Sequence, residues 1–297
     1  MLRTLVSGVL KHLPSGAPTF IYTVVLRPAP LRWLANKMLR RLIPATLTLP
    51  EGVMVLNRED PVVSGALALG VYEPGSITCW RGLLNRPDMN VLDVGANIGL
   101  YSLIAAGRCP KGRVLAFEPE PRNAEIFTEM ARRNGFTHLT LIAAGAGACA
   151  GSARLFLDPD NKGKHSLVVD GVGQRETVIP LVSVDEAVAE QGLSRIDAVK
   201  IDVEGWEAQV LLGMATVLAR DHPALLFELA PVRIRAAGDD PEVMLQRLMS
   251  DGYRLAVVNE ADGTGEPIGD VPTFLARFAH RDAYCNILAS WTKPPGT

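Results

Sequence analysis

Cysteine is scarce in this chain: Cys79, Cys109, Cys149 and Cys285 are the only four in 297 residues. No C-x-x-C pair occurs, so neither a zinc knuckle nor a dithiol redox motif is indicated, and reduced thiols in a cytosolic protein are the simplest expectation. Long apolar runs are missing as well. The longest near the start, APTFIYTVVL (Ala17 to Leu26), is too short for a bilayer span and is followed by RPAPLR, not by a small-residue cleavage pattern. Neither a transmembrane helix nor a signal peptide is expected, and no internal repeat or low-complexity tract is visible.

Acidic residues are absent from residues 1–50, which carry Arg3, Lys11, Arg27, Arg32, Lys37, Arg40 and Arg41. Because the net charge is −2, the remainder is acidic, which argues against a nucleic-acid binder. Within the basic segment Leu31, Leu34, Leu39 and Ile43 recur at roughly helical spacing beside the arginines. Such a face suits an anionic membrane surface; packing onto the body of the protein or onto a second subunit is the alternative. Residues 1–45 are thus where peripheral contact with the inner membrane surface, or a homo-oligomer contact, is expected.

With 48% hydrophobic residues the chain is long enough for one large domain plus this appendage, with no need of metals or disulfides. From residue 90 onward short apolar runs alternate with helical patterns, as in a parallel sheet covered by helices on both faces. The expected strands are NVLDVG, RVLAFEP (Arg113 to Pro119), LTLIAAGAG (Leu139 to Gly147), IDAVKIDVEG (Ile196 to Gly205), ALLFEL (Ala224 to Leu229) and YRLAVVNE (Tyr253 to Glu260). The clearest helix is PRNAEIFTEMARRNG, with Pro121 in its first turn and Asn134-Gly135 closing it. Residues 153–188 interrupt the alternation with two or three strand-like runs around a polar loop, an insertion placed to overhang the strand tips as a lid or substrate wall.

The stretch NVLDVGANIGLYSL (Asn90 to Leu103) is a buried strand turning sharply into a helix that should begin near Ile98. Gly95 would let a ligand approach the backbone, and Gly99 would let the helix sit close on the strand. The free amides and positive end of that helix favour an anionic group, either a pyrophosphate or an amino-acid carboxylate. A dinucleotide fingerprint would read G-x-G-x-x-G, whereas here Asn97 stands at the second glycine and Asp93 puts a negative charge beside the turn. Both hinder a pyrophosphate, and Asp93 suits a ligand bearing an ammonium and a sulfonium. Charge therefore favours S-adenosyl-L-methionine over a nicotinamide dinucleotide. Glu118, at the tip of the second strand, is placed to accept hydrogen bonds from ribose hydroxyls, which either ligand possesses.

VLDVGANIGLYSL, VLAFEPEPRN, HSLVVD, LVSVDEAV and above all KIDVEGWEAQVLLGM followed by ALLFEL resemble the FkbM family of S-adenosylmethionine-dependent methyltransferases. Order and spacing match from about Val53, through GVYEPGS (Gly70 to Ser76), to NILA (Asn286 to Ala289). The resemblance implies a class I methyltransferase fold, an α/β Rossmann-like architecture with a seven-stranded, mostly parallel sheet and helices on both faces. AYCNILASW (Ala283 to Trp291) is the candidate for its antiparallel last strand. Residues 1–50 would then be an N-terminal helical extension, and residues 51–297 the methyltransferase domain with a lid-like insertion around 153–182. The same resemblance puts the cofactor over Asp93, Gly95, Asn97, Gly99 and Glu118, Ala144 beside the adenine, and Tyr72 and Glu73 over the methionine end.

For the chemistry, KIDVEGWE supplies Asp202 and Glu204, expected to alternate in a strand onto one face together with Lys200. Glu207 is expected in the first turn of the next helix, where an acid is favourable. A positioned base speeds methylation of an alcohol, and Asp202, Glu204 and, if its loop folds inward, His165 are the candidates. Glu228 is a further inward acid on a strand end. No dedicated metal-ligand spacing shows, so no metal is expected, although Asp202 and Glu204 with a third oxygen form an alternative set for a divalent cation. The expected activity is O-methylation of a hydroxyl on a sugar, glycan or other natural product. A dinucleotide-dependent oxidoreductase and a non-catalytic cofactor-binding scaffold are the competing readings.

Overall fold

A computed structural model describes residues 43–60, 62–157, 165–168, 175–278 and 283–292. The first 42 residues, and with them most of the basic segment, lie outside the described residues. A hairpin comes first: β1 (Thr46–Leu49) pairs antiparallel with β2 (Gly52–Val55), and the expected division between residues 50 and 51 falls in its turn. Two helices follow, α1 (Val63–Leu69) and α2 (Pro74–Leu83).

The alternating portion begins with β3 (Val91–Val94), α3 (Leu100–Arg108), β4 (Val114–Phe117), α4 (Pro121–Asn134) and β5 (Leu139–Ile142). β3 and β4 are buried at every position, which is why VLDV and VLAF read as nearly unbroken apolar runs. Helix α4 has the expected punctuation: Glu120 caps it by accepting from the Asn123 amide, Pro121 occupies its first turn, and Gly135 closes it at φ 67°.

The third strand is shorter than expected. It stops at Ile142, whose carbonyl accepts from the Ala144 amide in a tight turn, and the chain then leaves the main sheet. β6 (Gly145–Gly147), β7 (Gly151–Leu157) and β8 (Arg175–Ser183) form a separate sheet in the order β6-β8-β7. The insertion is therefore an antiparallel β7–β8 pair anchored to the sheet body through β6.

The remainder comprises α5 (Val184–Glu190), β9 (Ala198–Ile201), α6 (Glu207–Leu212), α7 (Ala215–Asp221), β10 (Ala224–Leu229), α8 (Pro231–Ala236) and α9 (Pro241–Ser250). It ends with β11 (Tyr253–Val258), β12 (Gly265–Pro267), α10 (Val271–Leu275) and β13 (Cys285–Trp291). The main sheet runs β12-β11-β13-β10-β9-β3-β4-β5, with β13 antiparallel between β10 and β11 as expected. Among the described residues it has eight strands, not seven. The extra one is the exposed tripeptide β12, hydrogen-bonded to β11, and Gly-Glu-Pro has no apolar alternation from which a strand could be read.

Side chains alternate across the sheet, dividing the core in two. Leu92, Val94, Leu115, Phe117, Val199 and Ile201 fill one face; Val91, Val114, Ala116, Ala198 and Leu226 fill the other, beneath Trp80, Leu103 and Phe127 of the covering helices. Each fully buried aliphatic side chain there contributes roughly 1.5–3 kcal/mol. By the same alternation Asp93 and Lys200, paired across β3 and β9, belong to the second face, as does Glu228 two residues beyond Leu226. The buried charged residues of the sheet thus lie towards the carboxyl ends of the strands, where ligands bind in open α/β sheets.

Candidate active site

Between β3 and α3 the chain turns through Gly95, Ala96, Asn97, Ile98 and Gly99. Gly95 adopts φ 82°, and a Cβ on it would fall on the Asp202 carbonyl oxygen. The glycine that was expected to make room for a ligand makes room instead for the backbone just beyond β9. Gly99, at φ 93°, leaves space for Phe127 and Met130 of α4, not for the neighbouring strand. It also delays the helix, which starts at Leu100 and not at Ile98, because the residue preceding it is left-handed. Asn97 is left-handed too, at φ 51°, and its side-chain oxygen accepts from the Ile98 amide at 2.7 Å. Asparagine is among the few side chains that tolerate this conformation, which accounts for its place in the turn.

Glu118 follows β4. One carboxylate oxygen accepts from the Asn97 amide at 2.8 Å and the other from the Glu120 amide at 2.9 Å. Burial raises its pKa to about 7 against the pull of those amides. Each oxygen keeps a free acceptor direction, enough for two ligand hydroxyls. Ala144 lies buried in the turn after β5, on the same side of the sheet's end. Asp93 is less available than its position in the turn suggested: it is 1% exposed and accepts from the Ser102 hydroxyl at 2.6 Å. Burial raises it to about 6, with Ser102 and Lys200 opposing.

Across from the glycine turn lies a group of charges. Lys200, fully buried, donates to Asp202 at 3.3 Å and lies over the Tyr101 ring at 4.9 Å. Burial alone would lower its pKa, yet Asp202, Glu73, Glu228 and Asp93 together carry it above its ordinary value. Glu73 stands immediately before α2 at φ 37° and accepts from the Tyr101 hydroxyl at 2.7 Å. Burial lifts it to about 7 despite Lys200, and lifts the neighbouring Tyr72 hydroxyl well above its usual range. Glu228, near the end of β10, is raised well above the carboxylate range, by burial first and by Asp202 and other acids next. The carboxylates of Glu73, Asp202 and Glu228 each bring an oxygen to within 4.8 Å of the others.

Glu204 does not share this cluster. Strand β9 ends at Ile201, and Glu204 at φ 55° and Gly205 at φ 104° turn the chain away, so the expected alternation of Asp202 and Glu204 on one strand face is not formed. Glu204 pairs with Arg233 of α8, both nearly buried. Glu207 is fully buried and accepts from the Val203 and Gly205 amides, holding the turn closed, in addition to opening α6 as expected. His165 is half-buried in the insertion. Its neighbour Ser166 donates to the Glu204 carbonyl at 2.8 Å, so this part of the insertion rests on the Glu204 turn.

Two contributors have no local sequence signal. Glu260, beyond β11, accepts from the Gly75 and Ser76 amides at 3.0 and 3.1 Å and from the Ser76 hydroxyl. It clamps the start of α2 and thereby the position of Glu73. Asn286 on β13, in register with Glu228, donates to Glu260 at 3.4 Å. A strand-end acid and an asparagine in an apolar strand are too common to flag; the pairing of distant strands brings them here.

The strand order, the antiparallel β13 and a glycine turn facing an acid at the next strand tip define a class I methyltransferase. Residues 93–255, more than half of the chain, match the family model described as "Methyltransferase FkbM domain", and the chain belongs to that family. It is similar to the hexuronic acid methyltransferase AglP of Haloferax volcanii, 33% identical over 42% of this chain and 50% of that protein. It is also similar to the 31-O-demethyl-FK506 methyltransferase FkbM of Streptomyces tacrolimicus, 28% identical over 57% of this chain and 75% of that protein. Of two further curated relatives the match spans 10% and 60% of the length. Among solved structures, a methyltransferase FkbM from Methylobacillus flagellatus aligns at 16% identity and a TM-score of 0.47, covering 91% of this chain and 60% of that one. Among the described residues no helix is long and apolar enough to cross a membrane.

Proposed function

We propose that the chain transfers the methyl group of S-adenosylmethionine to a hydroxyl on a sugar, glycan or other natural product. The observation that carries this is Glu118: its carboxylate is fastened by the backbone amides of Asn97 and Glu120, at the tips of β3 and β4, with acceptor directions left over for the two hydroxyls of a ribose. Ala144, small and buried, suits a flat base beside that ribose. Tyr72 and Glu73 stand on the far side, where the amino-acid end of the same ligand belongs.

S-adenosylmethionine, when bound, supplies a methyl carbon already activated by its sulfonium. The protein's part is alignment, since an in-line displacement needs the acceptor oxygen held on the far side of that carbon. Glu73, Asp202 and Glu228 surround the place where an acceptor would meet the donor, and their oxygens can take the hydroxyl proton as the new bond forms, an aid of roughly 10²- to 10⁴-fold. Glu204, held by Arg233, has no part in that step. The names of the two relatives speak of a hexuronic acid and of a 31-O position, and both agree with an oxygen acceptor.

Calorimetric titration with S-adenosylmethionine and with NAD tests the donor; binding of NAD with no response to the methionine compound overturns it. Incubation with labelled donor and an extract of the source cells tests the transfer. Label should appear in an alkali-stable ether, and firm donor binding without any transfer would make the chain a scaffold.

A further inference from the structure

Glu73, Asp202 and Glu228 reach one point from three separate segments: the residue before α2, the residue after β9, and the end of β10. We propose that these three carboxylates, with the side-chain oxygen of Asn286 as a fourth donor, form a binding site for a divalent cation of the magnesium or manganese type.

Charge is the first argument. Asp93 adds a fourth carboxylate at the edge of the group, and Lys200 is the cation that faces it. Lys200 donates to Asp202 and to the Ile201 carbonyl, each at 3.3 Å, approaching along the sheet over Tyr101; of the carboxylates it hydrogen-bonds Asp202. Among the described residues one ammonium faces four carboxylates, and carboxylates so crowded are held either by protons, the direction in which Glu73 and Glu228 are shifted, or by a further cation.

Asn286 supplies an independent argument. It is 3% exposed and sits directly opposite Glu228 in the β10–β13 pair, so both side chains rise on one face of the sheet. Its amide nitrogen donates to Glu260, whereas its oxygen is buried without a hydrogen-bond partner among the described residues. Glu228, opposite it, is 6% exposed. A buried acceptor left unpaired costs about 1–3 kcal/mol. The unpaired amide oxygen of Asn286 opposite Glu228, together with the carboxylates of Glu73 and Asp202, matches the all-oxygen set that hard divalent cations take. The donors contain no sulfur and no imidazole, which disfavours zinc.

A cation held there would keep several positions for water or for the oxygens of an acceptor, and neighbouring hydroxyls could occupy two of them. That use rests on the methyltransferase reading; the site itself does not. The test is therefore made on the full chain without donor or acceptor. After chelation, manganese is titrated and the loss of the free-ion electron paramagnetic resonance signal is followed. Saturable binding of one ion per chain, displaced by magnesium, is expected. Asp202→Asn and Glu228→Gln should abolish it, and Asn286→Leu should weaken it by roughly tenfold.

These variants should fold, because the first two remove like charge from a crowded cluster. Their unfolding temperature without metal should equal or exceed that of the parent, while the rise that manganese gives the parent disappears. Absence of saturable binding in the parent, equal binding in Asp202→Asn and Glu228→Gln, or binding that appears only in Lys200→Met would each overturn the site. The last outcome would show that the lysine is the cation the cage was built around. Calorimetry with S-adenosylmethionine on the same samples separates failure of the cation site from failure of the donor assignment.

Discussion

The two sides of the cleft are built in opposite ways. On the β3–β4 side the polar contacts are mostly made by backbone, and the residues that make them lie within one continuous stretch: Asn97, Glu118 and Glu120 are joined by amide hydrogens. On the β9–β10–β13 side the contacts are mostly between side chains from distant segments, the start of α2, the end of β9, the end of β10, the second residue after β11 and the start of β13, with backbone amides entering where Glu260 takes those of Gly75 and Ser76. On the function proposed above, the first side holds the donor and the second meets the acceptor. A backbone cradle binds a constant ligand and tolerates change in its surroundings, whereas a cage of side chains can be retuned one residue at a time.

The sharpest way to break the comparison is at the joint between the sides, where Gly95 accommodates the Asp202 carbonyl. Gly95→Ala combines a left-handed alanine with a backbone collision and should cost about 3–5 kcal/mol, read from urea unfolding. A loss below about 1 kcal/mol would mean that the two tips are not in contact.

Glu118 comes next. Its folded pKa of about 7 lies above the ordinary value of 4.5, so the folded state holds the proton more tightly. The stabilisation from this proton is fully present below pH 4.5 and is lost as pH rises towards 7, a change of about 3 kcal/mol at most. Glu118→Gln should flatten that part of the stability curve and lose donor binding at the same time. An unchanged slope would place the carboxylate in water.

Loss of the Glu260 clamp should be smaller and confined to the other side. Glu260→Ala leaves two amides of α2 without an acceptor and should cost about 1–3 kcal/mol, with faster hydrogen exchange at Gly75 and Ser76 and unchanged exchange at Asn97. Faster exchange at both would deny that the two sides are independent. The smallest effect belongs to Asn97. Asn97→Gly, which keeps the left-handed turn, should shift stability by less than about 1 kcal/mol, and Asn97→Ala should cost roughly 1–2 kcal/mol. Equal losses from both would show that the side-chain oxygen matters more than the conformation.

The strands of the parallel half and the helix from Pro121 were legible because each carries its own periodicity or cap, and the antiparallel β13 was expected through the family resemblance. The break after Ile142 was not, since alanines and glycines continue the apolar run while the backbone turns. Nor was the reversal at Glu204: KIDVEG reads as an alternating strand, and only the left-handed pair at Glu204 and Gly205 parts the two acids. Asp202 stayed with Lys200 as expected, and its other partners, Glu73 and Glu228, stand 129 and 26 positions away in the chain.

By itself the sequence determined the sheet, the glycine turn and the acid that faces it, because a strand's alternation, a left-handed residue and a helix cap are properties of a few consecutive residues. Only the tertiary structure decided which carboxylates meet. Neighbours in this sheet follow the crossover order, not the order of the chain, so the partners of Asp202 depend on which strands lie side by side and on the angle at which α2 is clamped above them.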